Sequence, residues 1–173
     1  MFQLPRLFAF LLFIGVLATT MRLVRDIPLA FASDQVRLYQ SLDDIEDQFR
    51  SESLLRPTYF PRQLAWPAEE IWAGRAPQMS VLLHFTAANS DEIVLAIAYA
   101  ASADGLLGSR IEPQRVVDTS EVDLRDGPAE LLLGQCENRS VCNQIRWHTA
   151  SHSITVTGRM PAQELERIAR GVR

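Results

Sequence analysis

The chain has 173 residues, with 17 basic and 21 acidic side chains and a formal net charge of −4. Domains that bind nucleic acid usually carry a net positive charge or a clustered stripe of arginines. Neither feature is present, so we expect no nucleic-acid partner. Every basic side chain is an arginine, which excludes a P-loop lysine, a Schiff-base lysine and a lysine general base.

The first element is an uncharged stretch from Leu7 to Met21, which Arg6 and Arg22 flank. A spanning helix needs about 20 apolar residues. This stretch reaches a usable length if Arg22 extends its head group to the lipid phosphates. We therefore predict an N-terminal hydrophobic helix over residues 7–24 that anchors the protein in the membrane.

A cleaved signal peptide is the alternative interpretation of the same segment. Residues 30–32 (Ala-Phe-Ala) have the small side chains that a signal peptidase prefers, and residues 16–18 offer a second, earlier position. Under either interpretation, residues 1–32 form the membrane or signal segment with its connector. Residues 33–173 then form a single extracytoplasmic domain, because their number suits one domain with a modest core.

Cys136 and Cys142 are the only cysteines, and five residues separate them. Two lone cysteines so close together predict a structural disulfide, and two free thiols in a cytosolic domain are the alternative. Disulfides persist outside the cytosol, whereas the flanking arginines leave the orientation of residues 7–24 undecided. We therefore expect the domain on the periplasmic side of the cytoplasmic membrane, or, after signal cleavage, as a soluble periplasmic or secreted protein.

A connector is predicted over residues 22–40, followed by a helix over residues 42–52. Ser41 is placed to cap this helix, and the acidic side chains of its first turn suit the helix dipole. The helix should end before Pro57, because a residue that precedes a proline disfavours the helical conformation.

The stretch from Pro57 to Pro77 combines prolines with large aromatic side chains. Pro67 is predicted to begin a short helix that ends at Gly74. The aromatic side chains either cover one end of a sheet or form a surface that binds a partner or ligand, since aromatic rings bury a large area at a low entropy cost. The candidate binding residues are Tyr59, Phe60, Trp66 and Trp72.

Alternation of apolar and polar residues predicts a series of short strands after residue 79. A polar loop over residues 88–92 should join the first two as a hairpin, and residues 101–113 should form a longer loop. The predicted strands cover residues 80–86, 93–100, 114–118, 121–125, 129–135, 143–149 and 153–157, and a C-terminal amphipathic helix covers residues 161–171. The predicted fold class is therefore α+β: an antiparallel sheet of about six or seven short strands with two or three helices, preceded by the hydrophobic N-terminal helix.

No sequence motif assigns a reaction. His148 and His152 flank a predicted turn, but no third ligand accompanies them, so we predict no metal and no other cofactor. The G-x-S-x-G elbow of many serine hydrolases is absent, and no catalytic residue is assigned.

Three stretches resemble a known group of bacterial domains. They are SLDDIEDQF, the PTYFP segment with the following WP pair, and the pattern W-x8-V-T-G-x-x-P-x-x-E-L-x-x-I-A from Trp147 to Ala169. They resemble bacterial exported or membrane-anchored domains of unknown function, and the similarity covers about half of the domain. The resemblance implies an extracytoplasmic location and brings no catalytic residues. The lipobox cysteine of the lipoprotein members is absent, so a lipid anchor is not implied.

Three functional hypotheses follow. The first is a non-enzymatic envelope domain that binds a protein partner or an apolar ligand through the aromatic residues. The second is a periplasmic hydrolase that uses His84 or His148 with a carboxylate from a loop; it requires a histidine within hydrogen-bond reach of an acid and a nucleophile in a cleft. The third is a carrier with an apolar cavity beside the small residues Ala96, Ala98 and Ala100.

Overall fold

The computed structural model describes residues 36–49, 54–75, 78–137 and 139–173. The predicted membrane helix over residues 7–24 and both candidate cleavage positions lie outside the described residues. None of the helices within the described ranges is long and apolar enough to cross a membrane. The residues from Arg37 to Arg173 form one compact unit, which is the domain described below.

Eight strands and two helices make up the described part of the domain. They are β1 (Val36–Tyr39), α1 (Leu42–Phe49), β2 (Glu70–Gly74), β3 (Ser80–Thr86), β4 (Ile93–Ala100), β5 (Arg115–Leu124), β6 (Gly127–Gln135), β7 (Asn143–His148), β8 (Ser153–Gly158) and α2 (Ala162–Gly171). The strands form one sheet in the order β1-β2-β3-β4-β8-β7-β6-β5, and the pairings from β2 onward are antiparallel. The fold is α+β, as predicted, but the described sheet has eight strands instead of six or seven.

One face of the sheet packs against the helices and forms the main core. Alternate residues of the central strands point to this face, as the pleat of a strand requires. Leu165 and Ile168 of α2 are both 0% exposed, because they belong to the apolar stripe that the helix turns toward the sheet. The strand residues of this core include Val81, Leu83, Phe85, Leu95, Ile97, Ile145, Ile154 and Val156.

The opposite face of the sheet is covered in part by a loop. This loop, residues 101–114, joins β4 to β5 and includes a short 3₁₀ turn at Ala103–Gly105. Its apolar side chains form a second, smaller cluster with side chains of the sheet and with both cysteines. That cluster contains Leu82, Ala96, Ala98, Ile111, Cys136 and Cys142, with Trp72, Leu106 and Leu107 packed against it.

Elements with a clear periodicity or a local signal are confirmed. The hairpin of β3 and β4 has the predicted bounds. Cys136 and Cys142 are paired as a disulfide at the turn between β6 and β7, with 5.1 Å between their Cα atoms. Ser41 caps α1, because its hydroxyl oxygen accepts from the N–H of Asp44 (3.1 Å) and its own N–H donates to the Asp44 carboxylate (3.0 Å). The last three residues of the predicted helix 42–52 lie outside the described residues.

The helix predicted between Pro67 and Gly74 is wrong, because residues 70–74 form strand β2. Ile71 and Ala73 are buried on the core face, while Trp72 points to the opposite face. Because this segment pairs with β3, its side chains point alternately to the two faces of the sheet. This alternation of side chains fits a strand, and it overrides the helix-start signal of the proline.

Two further strand predictions are corrected. The strands predicted over residues 114–118 and 121–125 are one continuous strand, β5, because Thr119 and Ser120 keep their pairing with β6. β5 lies at the edge of the sheet, where polar residues stay solvated and do not end a strand. β1 falls inside the predicted connector, because a four-residue strand carries little periodic signal.

Candidate functional site

A cleft of about 900 Å³ lies on the face of the sheet opposite the helices. Its floor comes from β4, β7 and β8, one wall comes from β5 and β6, and residues 103–112 of the β4–β5 loop form the opposite wall. The volume falls within the usual range of small-molecule sites, about 300–1,000 Å³. We take this cleft as the candidate functional site, because it combines apolar surface with hydrogen-bonding and ionisable side chains.

Small side chains make room for the cleft. Ala96 and Ala98 of β4 lie on its floor and are 2% and 5% exposed. Leu106 and Leu107 add apolar surface from the loop. The sequence predicted a cavity beside Ala96, Ala98 and Ala100. Ala96 and Ala98 do line the cleft, whereas Ala100 is buried and does not line it. A larger side chain at position 96 or 98 would occupy the cleft, because side chains stand roughly perpendicular to the sheet.

Arg146 supplies a free positive charge inside the cleft. It stands between Glu130 and Thr155 as their cross-strand neighbour, and all three line the cleft. Within the described ranges, the ion pairs of the protein do not include Arg146 or Glu130. The guanidinium can therefore receive a polar group of a ligand, and Arg is well suited to planar acceptors such as carboxylates.

Gln144 supplies an unused hydrogen-bond acceptor beside Arg146. The residue lines the cleft and is 4% exposed. Its amide nitrogen donates to the hydroxyl oxygen of Thr157 (2.8 Å), whereas its amide oxygen has no hydrogen-bond partner in the described part of the chain. A buried acceptor without a partner costs about 1–3 kcal/mol. This oxygen is itself buried, so a ligand in the cleft would reach it only after the Gln144 side chain moves.

Three side chains form a hydrogen-bonded line at the loop side of the cleft. His84 of β3 is 2% exposed and lies between Glu70 of β2 and Ser109 of the loop. Its Nδ1 is 3.0 Å from Glu70 Oε2, and its Nε2 is 3.3 Å from Ser109 Oγ. Glu70 and His84 are direct partners in the β2–β3 register, and Ser109 lines the cleft. We call these three residues the Ser–His–Glu relay.

Glu70 is held in its charged form. Burial on its own raises the pKa of this carboxyl group, but hydrogen bonds from His84 and Trp72 and the charge of Arg110 outweigh it and leave the pKa below its ordinary value. The indole N–H of Trp72 donates to Oε2 (3.2 Å), and a guanidinium nitrogen of Arg110 lies 3.0 Å from Oε1. A fixed carboxylate beside Nδ1 keeps the histidine proton on that nitrogen.

The structure does not bring the four predicted aromatic residues into one surface. Phe60 and Trp66 lie together, with ring centroids 4.4 Å apart, and Trp66 is 59% exposed. Tyr59 is part-buried, and its hydroxyl donates to the Glu164 carboxylate on α2 (2.8 Å). Trp72 lies on the other face of the sheet, beside the relay. Only the pair of Phe60 and Trp66 therefore offers a joint aromatic surface.

The histidines of the β7–β8 turn have local partners. His148 Nδ1 is 2.8 Å from Ser153 Oγ, and His152 Nδ1 is 2.8 Å from Ser151 Oγ. The described residues contain no group of three or more side chains that would hold a metal ion. His148 lines the cleft, but it lies in the β7–β8 hairpin, whereas the relay is formed by β2, β3 and the β4–β5 loop.

Sequence analysis missed Glu70 and Ser109 as members of a site. Glu70 was placed in a predicted helix, which hid its position opposite His84 in a strand pair. Ser109 is an isolated serine in a loop, and no sequence signal marks it. The alternation in residues 80–86 did place His84 on the face opposite Val81, Leu83 and Phe85, which is the face of the cleft.

Comparison with protein-family models, with curated proteins and with solved structures finds no match to this chain. The resemblance to exported bacterial domains therefore stays a prediction, and the functional argument rests on the cleft.

Proposed function

We propose that this protein is a bacterial envelope domain that binds an apolar small molecule in the cleft. The observation that carries the proposal is the cleft itself, which Ala96 and Ala98 line from the sheet. Space of this size, bounded by Leu106 and Leu107 on the loop, favours a ligand with an apolar body.

Two polar side chains of the β7 part of the floor define the head group of the ligand. Among the described residues, Arg146 takes part in no ion pair, and the amide oxygen of Gln144 has no hydrogen-bond donor. A head group that fits both must accept and donate hydrogen bonds. An acyl chain that ends in an amide and a carboxylate has this chemistry, with the carboxylate on Arg146 and the amide N–H on Gln144.

N-hexanoylglycine is a suitable probe, because it joins a short acyl chain to an amide and a carboxylate. With about 12 non-hydrogen atoms at about −0.4 kcal/mol each, the expected Kd is about 0.3 mM. Isothermal titration calorimetry on the full-length protein in lipid nanodiscs, with empty nanodiscs as the blank, measures this value. Absence of saturable heat up to about 10 mM would contradict the proposed head-group chemistry.

Ala98→Leu tests whether the binding occurs in the cleft. The larger side chain occupies the floor, so the Kd should rise at least 10-fold. Ser90→Leu is the matched control, because it adds the same side chain at an exposed position of the β3–β4 turn and should leave the Kd unchanged. Equal affinities in both variants would place the binding outside the cleft.

A protein partner is the second candidate function, and the exposed ring of Trp66 beside Phe60 supports it. Tyr59 and Trp72 would act only indirectly in such an interface. A photo-crosslinking amino acid at position 66 in intact cells should join one defined envelope protein, whereas the same amino acid at the exposed position 62 should not. The same adduct at both positions, or none at 66, would refute a partner site here.

The proposed location is the cytoplasmic membrane, with residues 7–24 as the anchor and the domain outside; a soluble periplasmic or secreted protein after signal cleavage is the alternative. The disulfide supports an oxidising compartment. The intact mass of the protein, purified from its native cells without reductant, tests both points. An oxidised full-length mass supports the anchor, a mass that lacks residues 1–18 or 1–32 supports cleavage, and two free thiols contradict an outside location.

A further inference from the structure

The Ser–His–Glu relay goes beyond ligand binding. We propose that Ser109 is a nucleophile, that His84 is its general base, and that the cleft hydrolyses carboxylic esters with an apolar acyl chain. The inference uses the proposed cleft as its binding site, so it rests on that proposal. It adds a chemical step that binding alone does not require.

The hydrogen bonds of the relay fit a neutral imidazole. The Glu70 carboxylate only accepts, so the imidazole proton is on Nδ1 of His84. Nε2 is then a lone-pair acceptor, and the Ser109 hydroxyl at 3.3 Å is its donor. This is the order in which a serine nucleophile is activated: a carboxylate fixes the tautomer, and the imidazole takes the hydroxyl proton.

The position of Ser109 gives a substrate access to its oxygen. His84 is buried, whereas Ser109 lines the cleft on the same loop as Leu106 and Leu107. An acyl chain on these leucines and on the alanine floor brings its carbonyl carbon toward Oγ. The backbone N–H of Ile111 donates to Ser109 Oγ (3.1 Å) and helps to hold this oxygen beside Nε2 of His84.

The reaction follows from these positions. Ser109 Oγ bonds to the acyl carbon while its proton moves to Nε2 of His84. The bond between the acyl carbon and the alcohol oxygen then breaks, and the same proton passes from Nε2 to that oxygen. Water attacks the acyl-serine and gives a proton to Nε2. When the carboxylic acid leaves, Ser109 Oγ takes this proton back, so the site returns to its first state.

A fluorophosphonate probe tests the nucleophile directly, because an activated serine displaces fluoride from phosphorus and keeps the phosphonyl group. Intact mass and peptide mapping of the full-length protein in nanodiscs should show one adduct, on Ser109. Ser109→Ala should remove the adduct. Ser90→Ala is the control: Ser90 is an exposed serine of the β3–β4 turn and does not line the cleft, so this variant should label at the wild-type rate.

Glu70→Gln tests the relay with the serine left in place. The amide can donate to Nδ1 and so favour the wrong tautomer, which should slow both labelling and p-nitrophenyl butyrate hydrolysis at least 10-fold. A purely structural Glu70 would change thermal stability without a change in the labelling rate of the folded protein.

The outcomes separate this inference from the proposed binding function. If N-hexanoylglycine binds but the wild-type protein takes up no probe, or labels elsewhere, or labels equally in Ser109→Ala, the nucleophile is refuted and binding stands. If Ser109 labels and N-hexanoylglycine does not bind, the activated serine is supported and the proposed head-group chemistry is refuted. Thermal unfolding of each variant, with a melting temperature within a few degrees of wild type, confirms that the comparison concerns folded protein.

Discussion

Removal of the disulfide should lower the stability of the domain by a calculable amount. Cys136 and Cys142 are separated by 6 positions in the sequence, so the bond closes a loop of about seven residues. The chain-entropy treatment gives about 2.4 kcal/mol for a loop of this size. When the usual entropy of unfolding per residue is summed over the unit from Arg37 to Arg173, the total is about 0.29 kcal/mol per kelvin. The melting temperature should therefore fall by about 8 °C.

The local hydrogen bonds of the turn should keep the hairpin intact in the variant. The N–H of Cys136 donates to the carbonyl of Ser140 (3.0 Å), and the N–H of Cys142 donates to the carbonyl of Gly134 (3.0 Å). Neither bond needs the sulfur atoms. Loss of the disulfide should therefore change the unfolding free energy without a change in the strand register.

The experiment is thermal and urea unfolding of the Cys136→Ala/Cys142→Ala variant. Both cysteines are buried, at 5% and 0% exposure, so alanine preserves the apolar character of their cluster. Val141→Ala is the control, because Val141 lies in the same turn and is 55% exposed; it should change the unfolding free energy by less than about 0.5 kcal/mol. A loss of less than 1 kcal/mol in the double variant would refute the reasoning.

Two further predictions concern stability. The pKa of Glu70 is lowered in the folded protein from an ordinary value of 4.5, so its charge stabilises the fold above that pH, and the contribution is lost as the pH falls through the folded pKa. Glu70→Gln should thus reduce the urea midpoint at pH 7 more than at an acidic pH at which the Glu70 carboxyl group of the folded protein is protonated; an equal loss at both would contradict this. Leu165→Ala should lower the free energy of unfolding in urea by about 3–5 kcal/mol, because Leu165 is 0% exposed. Val117→Ala is the control; Val117 is 66% exposed, so this variant should lower it by less than about 0.5 kcal/mol. Similar losses in the two variants would refute the assignment of Leu165 to the core.

Local patterns in the sequence were sufficient for the central hairpin and the C-terminal helix. In residues 80–86 and 93–100 most of the larger apolar side chains recur at every second position, because one face of these strands meets the main core and the other meets a smaller cluster beneath a loop. The amphipathic pattern of residues 161–171 likewise reflects a helix that buries one face. The cysteine spacing was sufficient for the disulfide, because two nearby cysteines at a hairpin turn have few other partners.

The remaining features depend on pairing between distant segments. Glu70 and Ser109 are 14 and 25 positions from His84 in the sequence, and only the β2–β3 register and the path of the loop bring them together. The start signal at Pro67 predicted a helix, because local propensity does not include the gain from the five residue pairs that this segment forms with β3. The cleft was anticipated only through Ala96 and Ala98, whose small size is visible in the sequence.

The location of the bound ligand is the most direct test of the account. Hydrogen exchange of the full-length protein should be measured with and without about 10 mM N-hexanoylglycine. The account predicts slower exchange in residues 105–111 of the loop that borders the cleft, and no change in α2 on the other face of the sheet. Protection confined to the region around Trp66, or no protection in the loop, would contradict the claim that the cleft is the functional site.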